Sequence, residues 1–66
     1  MNKATAETAK NLGIKAFNAG KARVTGWDTE IMAMVEKAID SKSKCAMMAA
    51  WLKGWDSCLI AEMMAA

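Results

Sequence analysis

Lys10, Lys15, Lys21 and Arg23 occupy a stretch in which no acid intervenes between Glu7 and Asp28. Cations spaced in this way can each meet a phosphate of a nucleic acid. The formal net charge is only +2, so charge alone favours the plainer assignment of these four to a solvated helix face. Other chemistry has less material. The chain contains no histidine, the commonest general base. Its acids, Glu7, Asp28, Glu30, Glu36, Asp40, Asp56 and Glu62, are scattered. Asp56 and Glu62 are neither three nor four apart, so they form no dyad on a helix. Cys45 or Cys58 as a nucleophile would need a base partner that the sequence does not supply. No enzyme and no catalytic residue are expected. Two isolated cysteines without histidine do not make a metal site, and neither a cofactor nor a small-molecule substrate is expected.

Trp51 and Trp55 have faces on which bases could stack. They share a stripe with Leu52 and Leu59, which assigns them to a core instead. The methionines could form an adaptable contact surface. Met34, Met48 and Met63 fall on apolar stripes and read as core or dimer interface. Met32, Met47 and Met64 fall off the main stripe and, with Ile60, are the candidate protein-interface residues.

The elements that must position these residues are helices. Proline is absent, and alanine, methionine, lysine and glutamate are abundant, with little of the alternation that marks strands. A first helix is predicted over about 5–19, its apolar face formed by Ala9, Leu12, Ala16 and Ala19 with Phe17 on the flank. Gly13 and Gly20 border that face, and Gly20 stands where a left-handed C-terminal cap would be. A second helix starts near Asp28, a good N-cap with Glu30 in the first turn. Ile31, Met34, Val35, Ala38 and Ile39 make its stripe. The polar run from Asp40 to Lys44 predicts a break, with Ser41 or Ser43 as the next cap. A third helix is predicted over about 43–63, with Met48, Trp51, Leu52, Trp55, Leu59 and Met63 facing inward. Ile31, Ala38, Cys45, Leu52 and Leu59 are seven apart, so one uninterrupted helix from Asp28 to Met63, stabilised as a dimer, is the alternative.

A single helical domain over 1–66 follows: an all-α, three-helix protein built on an antiparallel helix pair. A chain this short builds only a thin core, and its third helix is apolar beyond one stripe. Self-association, as a homodimer, or a protein partner is therefore expected. Cys45 and Cys58 on one helix would stand about 19 Å apart along its axis, too far for a disulfide, whose Cα atoms lie within about 7 Å. Free thiols, an N-terminus without a signal peptide's apolar core, and an apolar stretch interrupted by Lys53, Asp56 and Glu62 point to a cytoplasmic protein that does not span a membrane.

Gly-Trp-Asp occurs twice, at Gly26–Asp28 and at Gly54–Asp56. The first copy lies at a loop-to-helix junction, where Trp27 is expected to staple onto the following turn. The second lies inside a helix, where glycine is about 1 kcal/mol worse than alanine. Close helix packing at Gly54, with Trp51 and Trp55 either side, would offset that.

Two blocks carry a resemblance. "KAFNAGKAR" (Lys15–Arg23) resembles the Gly-Tyr-x-Ala-Gly-x-x-Gly-Arg stretch of the ribosome modulation factor family. "AWLKGWDSC" (Ala50–Cys58) resembles that family's Trp-Leu-x-Gly-Trp-Arg stretch, in the same order. Phe17 takes the aromatic position of the first block, and Ala19 and Gly20 its Ala-Gly. Trp51, Leu52, Gly54 and Trp55 take the second. The resemblance implies a small bacterial helical protein that binds the ribosome through ribosomal RNA, modulates translation and promotes inactive ribosome dimers. Lys10, Lys15, Lys21 and Arg23 would then be the nucleic-acid contacts. The chain departs from the family in having Asp56 where a basic residue follows the second tryptophan, in lacking the Cys-Pro-Tyr segment, and in carrying an additional helix from Asp28 to Ile39. Similar fragments occur in small proteins of phages and mobile elements. The alternative is therefore an inhibitor of a host protein complex, for example an anti-defence or anti-CRISPR protein, acting through the Met/Trp-rich helical surface.

Overall fold

The computed structural model describes residues 3–65. It is all-α: α1 (Lys3–Asn18), a 3-10 turn (Thr25–Trp27), α2 (Thr29–Lys37) and α3 (Ser41–Ala65), with no strand among the described residues. At 25 residues, α3 is roughly 37 Å long and accounts for most of the 41 Å long axis. The other elements lie along it.

Each helix ends for a local reason. Gly20 takes φ +79, the left-handed conformation that glycine adopts without a Cβ clash. The Gly20 N–H donates to Phe17 O at 3.0 Å and the Lys21 N–H to Ala16 O at 2.9 Å. That pair of bonds is the Schellman closure of α1, at the predicted glycine. Asp28 opens α2 by accepting the Glu30 N–H. At Ala38 the backbone turns extended (φ −70, ψ 141), so Asp28–Met63 is two helices with a break between them. The Lys44 ammonium donates to Val35 O at 2.8 Å, satisfying a carbonyl at the end of α2. The predicted cap of α3 is corrected. Asp40, not Ser41 or Ser43, accepts the Ser43 N–H at 2.9 Å, and Ser41 is already helical. The carboxylate is the stronger acceptor for an N-terminal N–H.

α1 and α3 meet at glycines. A Cβ on Gly54 would collide with the Lys10 carbonyl, and a Cβ on Gly13 with the Trp51 carbonyl. Backbone therefore lies on backbone, and Gly54 does what its unfavourable place in a helix suggested. The core is Ala9, Ala16, Ile31, Val35, Met47 and Trp51, flanked by Leu12, Met34, Met48, Leu52 and Trp55.

The buried side of α3 is turned by about one residue from the predicted stripe. Met47, Trp51 and Gly54 are buried. Met48, Leu52 and Trp55 are half-buried, and Leu59 and Met63 are exposed. The close approach at Gly54 draws the contact towards that flank, and the last turns of α3 extend past the core. Met47, expected as an exposed interface residue, is consequently part of the core. Ala19 and Ile39 are exposed because the chain leaves each helix there. Trp27 forms no staple: it is 72% exposed.

Candidate binding surfaces

The two tryptophans of α3 tie the molecule together through their N–H groups. Trp51 is fully buried, and its indole N–H donates to Asp28 Oδ2 at 2.8 Å. Asp28 Oδ1 accepts the Glu30 N–H at 3.0 Å. One carboxylate, 3% exposed, thus caps α2 and holds α3. The sequence marked the cap but not the tryptophan. A buried indole needs an acceptor, yet nothing local says which one. The Trp55 N–H donates to Lys21 O at 3.0 Å, and its ring meets Phe17 edge-to-face at 5.0 Å.

The expected basic residues do not form one free patch. Lys15 pairs with Glu30 at 3.0 Å. Arg23 forms a two-pronged contact with Asp56, at 2.7 and 2.9 Å, the planar fork geometry that favours arginine. Asp56 thus has its partner 33 positions earlier in the chain. Lys10 and Lys21 are exposed and make no ion pair among the described residues. Of the expected protein-interface residues, Ile60 (55%) and Met64 (82%) are exposed. Met32 is half-buried against the core, and Met47 is within it. Leu59 and Met63 extend the exposed apolar end of α3. A groove with a floor of Ala46, Ala49 and Ala50 runs between α3 and the N-terminal half of α1, with a volume of about 460 Å³. Among the described residues no helix is long and apolar enough to cross a membrane, and no group of three or more acidic, cysteine or histidine residues could hold a metal ion.

Hydrogen bonding and charge from Arg23 hold the Asp56 carboxyl below its ordinary 3.8, and Asp56 raises Arg23 in turn. Ser43, first through its side chain and then its N–H, lowers Asp40. A carboxyl depressed on folding adds stability above its unfolded pKa and loses that stability as pH falls through the folded value. The melting temperature should therefore decline as the solution is acidified below about pH 4. Asp56→Asn should flatten part of that decline; an acid profile identical to the parent's would show that the pair contributes nothing. Both groups face water, so the effect is small and weakens with salt.

Comparison with known proteins finds no family model, no curated protein and no solved structure that matches the chain.

Proposed function

We propose that this is a non-enzymatic binding protein of the ribosome-modulation-factor kind, contacting ribosomal RNA and modulating translation. One observation carries the reading: the two blocks that resemble the family, far apart in sequence, touch each other in space. Phe17 packs on Trp55, Lys21 O takes the Trp55 N–H, and Arg23 grips Asp56. Phe17 and Trp55, which take an aromatic position in each of the family's two blocks, thus share one contact, and this is what supports the reading. The expected antiparallel α1–α3 pair is not what the contacts give. Lys3 to Lys10 lie along Ala46 to Lys53 and Arg23 reaches Asp56, so α1 runs in the same direction as α3. The helix that runs against α3 is α2, through Val35–Lys44 and Asp28–Trp51. Of the four basic residues, Lys10 and Lys21 make no ion pair among the described residues and are the first phosphate contacts; Lys15 and Arg23 contribute after exchanging their present partners. A cytoplasmic location belongs to the same proposal, and the unpaired Cys45 and Cys58 are compatible with it.

The protein should co-sediment with bacterial ribosomes at about 50 mM salt and be released steeply towards about 200 mM. Lys10→Glu with Lys21→Glu should weaken the association and flatten its salt dependence, since each phosphate contact contributes roughly one unit of slope. Absence from every ribosomal fraction at low salt would remove this reading. A second reading is favoured by the exposed Leu59, Ile60, Met63 and Met64: inhibition of a host protein complex by apolar contact. That association would survive the same rise in salt.

A further inference from the structure

The groove and the exposed Ile60 and Met64 lie on the same side of α3. Ala46, Lys53 and Ile60 are seven residues apart, as are Ala50, Ser57 and Met64. At 3.6 residues per turn these two sets run side by side along one face. Its N-terminal half is small and concave, where Ala46 and Ala50 help floor the groove. Its C-terminal half is large and convex, with Ile60 and Met64 projecting into solvent.

We propose that the chain forms a twofold dimer in which Ile60 and Met64 of each α3 seat in the alanine-floored groove of a second copy. A twofold axis passing through this face between Lys53 and Ser57, with the α3 helices antiparallel, sets Met64 of one copy on Ala46 of the other and Ile60 on Ala50. Large residues fall on small ones at both ends at once, which is the self-complementarity that an isologous contact requires. The face from Ala46 to Met64 is about 27 Å long. Taken about 20 Å wide, two helix diameters, it covers on the order of 1,000 Å² over both copies, where specific interfaces begin. Lys3, Lys10 and Lys53 wall the groove. Their aliphatic stems can cover the seated side chains while the ammonium groups stay in water. A second copy thus fills the groove and covers Ile60 and Met64 in one contact.

Sedimentation equilibrium of the full chain should show a mass that rises to twice the monomer's with concentration. Ile60→Glu with Met64→Glu should weaken dimerisation on the order of a hundredfold. Neither residue is in the core, so circular dichroism of that variant should match the parent. The register has its own test, because Ser57 meets Lys53 of the second copy. Ser57→Glu should tighten the dimer by about threefold and Ser57→Lys should loosen it similarly. A monomeric mass at every concentration, an unchanged dimer in the double glutamate variant, or Ser57 variants that shift in the same direction would each overturn the proposal. So would a monomer that takes a different protein on this face.

Discussion

Gly54→Ala lowers the melting temperature by roughly 10 °C, although alanine is the better helix former by about 1 kcal/mol. The added methyl would land on the Lys10 carbonyl, 2.9 Å from its carbon and well inside contact with its oxygen. A flexible side chain could swing aside, but a carbonyl locked into a helix cannot move without α1. Overpacking of this kind costs about 1–3 kcal/mol, occasionally more, and here it outweighs the propensity gain. Gly13→Ala meets the Trp51 carbonyl in the same way and should cost about as much. Gly54→Leu should prevent folding. Because both glycines serve one crossing, the double alanine variant should lose less than the sum of the two single changes. The measurement is thermal unfolding followed by circular dichroism. A Gly54→Ala protein that melts at or above the parent's temperature would show that the helices do not cross there.

The second large effect centres on Asp28. Asp28→Ala removes the cap of α2, worth about 1 kcal/mol. It also leaves the buried Trp51 N–H without an acceptor, at a further cost of about 1–3 kcal/mol. Asp28→Asn is the more telling change. Its oxygen still caps α2 through the Glu30 N–H, but its amide then points a donor at the indole donor, so most of the second loss remains. Trp51→Phe keeps the ring in the core and strands the carboxylate oxygen instead. Urea unfolding of Asp28→Ala, Trp51→Phe and the double variant should give a coupling of about 1 kcal/mol or more. Strict additivity would mean that the 2.8 Å bond carries no energy.

These positions also show what the sequence disclosed. Gly54 announced a close contact, because a glycine inside a long amphipathic helix is unfavourable unless another backbone needs the space. It did not say that the atom filling the space is Lys10 O, since a distant carbonyl leaves no local trace. Gly20 and Asp28 were readable as helix stops and starts because capping is local chemistry. Asp40 was missed because serines follow it at once, and any of the three could serve as cap by residue type. The inward face of α3 was misread by about one position for a physical reason. Hydrophobic residues occur all around that helix, so side-chain type does not fix its rotation. The glycine contact does, and it places Met47 in the core and leaves Leu59 and Met63 outside. Lys15 and Arg23 looked available because their acidic partners, Glu30 and Asp56, lie 15 and 33 positions away.

The crossing at Gly54 also sets an order of events during synthesis. Lys10 leaves the peptidyl-transferase centre 44 residues before the glycine it must touch. At about 5–20 residues per second the gap lasts roughly two to nine seconds. A sixteen-residue helix is marginal alone in water, so the newborn N-terminal segment spends that interval without its partner. Nascent chains arrested before Gly54 emerges should therefore remain open to protease around Gly13, and closure should come only when the last helix is free.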